Sequence, residues 1–247
     1  MSAPLNDAAV FVTIDSASTR DIDDAILITR NGTGFLIMVA IADPTDHVEL
    51  NSALDLQARE MAATVYARDT TKKSMLPARI SQDEASLVAG QERSSFVFSI
   101  SLDAELQIID FTPSIQKIKV SHRLTYEELP TIAANPSHEL YQQINDSILL
   151  GQALLEGRRK KGALALYDLK KFLMTDEEGN LLQLNSRADT VGHVVVQEMM
   201  ILTNSLLGQY LLKNDIPALY RNHVTTRGAP STLELRETIE ALLFATK

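Results

Sequence analysis

Short apolar runs with strand character fill the first half of this chain, and longer stretches with a helical repeat fill the second. VFVTID, Val10–Asp15, is rich in β-branched and aromatic residues and predicts a strand; the polar stretch Ser16–Asp24 after it predicts a loop. The runs AILITR and FLIMVAIAD flank Asn31-Gly32-Thr33-Gly34, a hairpin signal, and the second strand should end at Asp43-Pro44. Leu54, Ala58, Met61, Ala62 and Val65 recur at helical spacing, which predicts an amphipathic helix over residues 52–66 that ends close to Tyr66. FVFSIS and Ile108–Ile118, joined by a turn at Asp103–Glu105, predict a second antiparallel hairpin.

Further along, Thr125 and Glu128 have capping-box spacing ahead of a short helix. Ser137–Lys161 predicts a longer one, finished by Arg158-Arg159-Lys160-Lys161-Gly162. KKFLMTDEEGNLLQL predicts another hairpin around Glu178-Gly179-Asn180, and Thr190–Asn214 a long apolar helix with Glu198 inside it. ALYRNH is strand-like, and Ser231 with Glu234 sets a second capping box for a helix running to Lys247. These elements predict a mixed α+β fold with a largely antiparallel sheet and packed helices, without internal repeats.

Composition narrows the chemistry. The 247 residues are 45% hydrophobic and 22% charged, enough for one large domain or two intimate ones. With no cysteine, disulfides and thiolate metal sites are excluded, and any metal must be held by oxygen or imidazole. No apolar run is long enough to span a membrane and the start MSAPLNDAA is not signal-like, so the expectation is a cytoplasmic protein with no membrane partner. A net charge of −9 argues against nucleic-acid binding by the whole surface but not by a local basic channel. Acids gathered around a divalent ion would also inflate that sum.

The acids are concentrated. Asp15, Asp21, Asp23 and Asp24 fall within ten residues, at a strand end and in the loop after it. Carboxylates brought that close repel one another unless a cation sits between them, which points to a hard divalent ion. Asp-rich loops also cap helices and close turns, so spacing alone leaves both readings open. An EF-hand, a P-loop, GxSxG and HExxH are all absent.

FVTIDSASTRDIDDAILI followed by VAIADPTDHV resembles the opening of the RNB catalytic domain of the ribonuclease II/R exoribonucleases, most closely the bacterial ribonuclease II branch. Leu54-Asp55 through Tyr66, MLPARIS, EASL, Arg158-Arg159 to Leu164, and QEMMILTN with ALYRNH agree in the same order, over nearly the whole chain. The resemblance implies that Asp15, Asp21 and Asp24 help hold Mg²⁺ and that Asp23 is the acid most needed for chemistry; the sequence leaves open whether Mn²⁺ replaces Mg²⁺. It implies that Tyr66 packs against the 3′-terminal nucleotides of single-stranded RNA, where the tyrosine by itself would be a half-buried helix end. The implied reaction is 3′→5′ hydrolysis to nucleoside 5′-monophosphates.

There are departures from the family pattern. Met61 stands where an arginine is usual and Gln197-Glu198 where paired acids are usual. A TSPIRRY-like arginine segment and the flanking cold-shock and S1 domains are missing. The expectation is therefore the N-terminal portion of an RNB-type catalytic domain over residues 1–247, truncated at its C-terminus, with a non-catalytic RNA-binding remnant as the alternative function. A metal phosphohydrolase of smaller substrates is a third reading. An incomplete sheet would expose edges, which predicts association. Glu198 is either support for the metal or a paired structural acid, the run Arg158–Lys161 is a solvated helix terminus rather than an RNA path, and the histidines lack ligand spacing.

Overall fold

A computed structural model of the chain describes residues 9–65, 73–163, 172–175, 181–184 and 190–220, with positions 234, 237 and 241. Two compact units divide it, Met1–Glu128 and Leu129–Lys247.

The first unit is built on β1 (Phe11–Asp15), β2 (Asp24–Asn31), β3 (Gly34–Ala42), β4 (Glu92–Leu102) and β5 (Ile108–Thr125). Each strand is antiparallel to its predecessor. In such a meander the fifth strand runs in the direction of the first, so closure demands one parallel pair. That pair is β1 with β5, from Phe11 opposite Val120 to Asp15 opposite Thr125, and the sheet is a closed barrel. β5 is 18 residues long: Ile108–Lys119 lies along β4 and Val120–Thr125 along β1. The predicted mixed, largely antiparallel sheet is present. Within the barrel the predicted open edges are absent, because closure gives each of its five strands a neighbour on both sides.

β2 and β3 are buried on both faces, which explains their near-continuous apolar runs. Leu27, Met38, Ala40, Val97, Ile118 and Val120 form one cluster with Ile22 and Leu87. Ile26, Ile28, Ile37, Val39 and Ile100 alternate onto the other face and are no more than 2% exposed. Each such side chain contributes roughly 1.5–3 kcal/mol of transfer free energy. The β2–β3 hairpin closes through Gly32-Thr33, with Asn31 opposite Gly34 and Gly32 at φ +59°. A Cβ on Gly34 would lie 1.9 Å from the carbonyl oxygen of Leu102, so this position takes only glycine.

Between β3 and β4 the chain makes a short 3₁₀ turn, Pro44–His47, and the helix α1, Ala53–Met61. Ser52 caps α1 by accepting from the Asp55 amide, and Asp55 accepts from the Asn51 amide. α1 ends before the predicted Tyr66 because Ala62 turns left-handed at φ 58° and Val65 pairs with Lys73 in an isolated bridge. A single π-helical turn, Ile80–Glu84, precedes β4.

At the junction of the units lies α2, Glu128–Ala133, and the amide of Thr125 donates to the Glu128 carboxylate at 2.6 Å, one half of the predicted capping box. The second unit holds α3 (Tyr141–Lys160), the antiparallel pair β6 (Phe172–Thr175) and β7 (Leu181–Leu184), and α4 (Val191–Lys213). α3 starts four residues later than expected: Asn135 and His138 side chains accept from the amides of Ser137 and Leu140, local bonds that compete with a helix. It stops as predicted, with Gly162 at φ 92° and the Ala163 amide donating to the Arg158 carbonyl. α3 and α4 approach closely at Gly151, where a Cβ would stand 3.2 Å from Val195 Cα. Ala218–Tyr220, expected as strand, has no regular structure, while Glu234, Glu237 and Ala241 are helical as expected. The turn at Glu178–Asn180, Arg221–His223 and Ser231 lie outside the described residues.

Candidate metal centre

Barrel geometry gathers the four aspartates. Asp15 is the last residue of β1 and Asp24 the first of β2, while Asp21 and Asp23 sit on the segment between them. Antiparallel pairing of these strands, Val12 opposite Ile26, places the end of one beside the start of the other. Asp15, Asp21 and Asp24 are half-buried and Asp23 is exposed.

The connecting segment is fastened from two sides. On one side the buried Ser86 accepts from the Ile22 amide at 3.0 Å and donates to the Arg20 carbonyl at 3.3 Å, while the Leu87 amide donates to the Ile22 carbonyl at 2.9 Å. Ser86 is itself held by Arg93, whose Nε donates to the carbonyls of Ser86 at 3.1 Å and Asp83 at 3.2 Å. On the other side Arg123, on β5, donates to the carbonyls of Ala17 at 3.1 Å and Thr19 at 2.5 Å and reaches that of Ser16 at 3.5 Å. The Asp23 carbonyl accepts from the Ala42 amide at 2.8 Å, and the Asp15 carbonyl from the Tyr126 amide at 3.3 Å. Sequence reasoning missed Ser86 and Arg123 as site residues; EASL drew attention as a matching segment, but the bonds span 64 to 107 positions and leave no local signal.

Electrostatics separate these acids from ordinary surface aspartates. Burial, opposed by the charge of Arg123 and reinforced by Asp23 and Asp21, pushes Asp15 up from 3.8 to about 6. Burial together with repulsion from Asp15 and Asp23 pushes Asp24 up to about 7. The acids thus act on one another as a single cluster. As a donor set, carboxylates that resist ionising together fit a hard divalent cation. Among the described residues, no group of three or more His, Asp or Glu side chains is drawn tightly enough to hold an ion. Tyr66 lies outside the described residues.

In the second unit Glu198 is a paired structural acid. It is 1% exposed, and Arg158 grips it in a fork, Nε to Oε2 at 2.8 Å and Nη2 to Oε1 at 2.7 Å. Gln197 adds a bond to Oε1 at 3.0 Å. This corrects the reading of Arg158–Lys161 as a purely solvated terminus: Arg158 pairs with Glu198 on α4, Arg159 is half-buried and pairs with Glu156, and Lys160 and Lys161 are the exposed residues of the run. Of the histidines, His47 stands 3.6 Å from Glu84 at the surface.

The first unit is thus a mostly antiparallel barrel closed by one parallel pair, with an acidic segment fastened across its β1–β2 connection. The chain belongs to the RNB-domain family, whose model matches residues 5–246. It is 31% identical to ribonuclease R of Thermotoga maritima, over 94% of this chain and 34% of that protein. The match is thus not confined to the ribonuclease II branch. Among solved structures it is similar to Mycoplasma genitalium RNase R in complex with ribose-methylated single-stranded RNA, at a TM-score of 0.71 and 25% identity over 85% of this chain and 33% of that one. The fold is shared with yeast Ssd1, described as a pseudonuclease, at a TM-score of 0.63 and 19% identity over 83% of this chain and 25% of that one. The chain spans about a third of the length of the curated relatives it matches. No helix among the described residues is long and apolar enough to cross a membrane.

Proposed function

We propose that this chain carries the Mg²⁺-dependent centre of a 3′→5′ exoribonuclease that hydrolyses single-stranded RNA to nucleoside 5′-monophosphates in the cytoplasm. One observation supports it most: four aspartates of one segment are fastened together at a barrel end, two with raised pKa values through burial and mutual repulsion. Asp15, Asp21 and Asp24 would hold the ion, with Mn²⁺ able to replace Mg²⁺. When bound, the cation would neutralise the scissile phosphate and acidify a water. Asp23, the most exposed of the four, would orient that water for attack on phosphorus. The phosphorus–oxygen bond to the penultimate 3′ oxygen breaks, that oxygen takes a proton, and the released nucleotide keeps its 5′-phosphate. Tyr66 would stack on the terminal base, and residues 1–247 would serve as the front part of the catalytic domain.

A second reading, RNA binding without turnover, is favoured by the lack of a tight three-ligand group among the described residues. Incubation with 5′-labelled single-stranded RNA separates the two. Stepwise shortening from the 3′ end that requires Mg²⁺ and falls about 10³-fold in Asp23→Asn supports the nuclease. Retention of RNA without shortening, by a folded protein, supports the second reading and overturns the first.

A further inference from the structure

The segment from Ser16 to Asp23 contains no helix or strand, yet it must keep like charges adjacent. Something outside the segment has to set its course. Arg123 stands at the right place: the parallel β1–β5 register puts it opposite Thr13, two residues before Asp15. From there its guanidinium meets three carbonyls of the arc that follows Asp15, those of Ser16, Ala17 and Thr19. The arc is also closed on itself, with the Thr19 amide donating to the Ser16 carbonyl at 3.1 Å. We propose that Arg123 is the positioning residue of the acidic centre, its guanidinium fixing the carbonyl arc of residues 16–19 so that the backbone linking Asp15 to the three later aspartates holds its course before a cation binds.

This rests on the metal reading above and adds to it the agent that preorganises the ligands. Shape matters here as well as charge. A guanidinium is a planar fork whose N–H groups have fixed directions and can bridge several carbonyls, whereas a lysine ammonium is a compact point charge on a flexible stem. Lysine at position 123 would keep the positive charge near Asp15 and lose the fixed arc. The arginine touches neither RNA nor the reacting atoms in this account; its effect passes through the backbone to the acids.

The test uses the full chain and Mn²⁺ alone, followed by electron paramagnetic resonance of free ion, for wild type, Arg123→Lys, Arg123→Met and the control Arg59→Met, which removes an exposed pair with Asp55 on α1. Wild type and control should bind alike. Both Arg123 variants should bind about 10–100-fold more weakly, with unchanged far-ultraviolet circular dichroism. Hydrogen exchange of residues 16–24 in the metal-free state should quicken in both. Wild-type affinity in Arg123→Lys would show that charge suffices and overturn the carbonyl clamp. So would rapid exchange of the Thr19 amide in metal-free wild type, an observation that needs no variant. Failure of wild type itself to bind Mn²⁺ would remove the metal reading, and the clamp with it.

Discussion

Each unit of this chain takes carboxylates out of water, and the two handle them in opposite ways. In the second unit Glu198 is almost fully buried and meets a forked guanidinium from Arg158, so its charge is matched by a residue of the same chain. In the first unit Asp15 and Asp24 are driven above their usual range by burial and by neighbouring acids, with Arg123 offsetting part of the effect at Asp15 alone. A charge already paired inside the fold serves structure. Acids that raise one another's pKa are, under the proposed function, the ones whose repulsion a cation would relieve. Of the two readings the sequence left open for Glu198, support for a metal or a paired structural acid, the Arg158 fork matches the second.

The largest effect that sharpens the contrast is expected at the pair. Glu198→Leu leaves the Arg158 charge stranded and should cost about 3–5 kcal/mol in chemical denaturation, with Arg158→Leu in the same chain restoring much of it. Mn²⁺ affinity should be unaffected in any variant that remains folded. A smaller loss is expected at the clamp opposite Arg123. Ser86→Ala removes the acceptor for the Ile22 amide and the donor to the Arg20 carbonyl, and should cost about 1–3 kcal/mol in the same measurement. Unlike the Glu198 change, it should also weaken Mn²⁺ binding, about tenfold. Equal effects of both substitutions on the ion would erase the distinction between the units.

Much of this was legible in the sequence because it is local. The β2–β3 hairpin follows from Asn31-Gly32-Thr33-Gly34 between apolar runs, and α4 runs within one residue of the predicted Thr190–Asn214 at each end. The acids lie together on the page and stay together in space. Barrel closure could not be read so directly: it depends on β5 extending to Thr125, seven residues beyond its expected end, and turning from β4 onto β1. The polar residues Lys119, Ser121, His122 and Arg123 disguised the last part of that strand. Ser86 and Arg123 act on residues far away in sequence through a few hydrogen bonds each, which carry no periodicity. Glu198 and Arg158 are forty positions apart, and each had a plausible role alone.

The most direct test of the central claim is the melting temperature of the chain from pH 5 to pH 8, in chelator and in saturating Mg²⁺. Below about pH 4 Asp15 and Asp24 are protonated in folded and unfolded chains alike. Between there and about 7 the folded chain retains protons that the unfolded chain has released, so their contribution to stability falls as pH rises and is lost above the folded values of about 6 and 7. Relative to an Asp24→Asn variant, the metal-free protein should therefore lose stability across this range. Mg²⁺ should stabilise it more at pH 8 than at pH 5, because the ion and the protons compete for the same oxygens. A Mg²⁺ effect that is absent at pH 8, or the same size at both ends, would contradict a cation centre built on these aspartates.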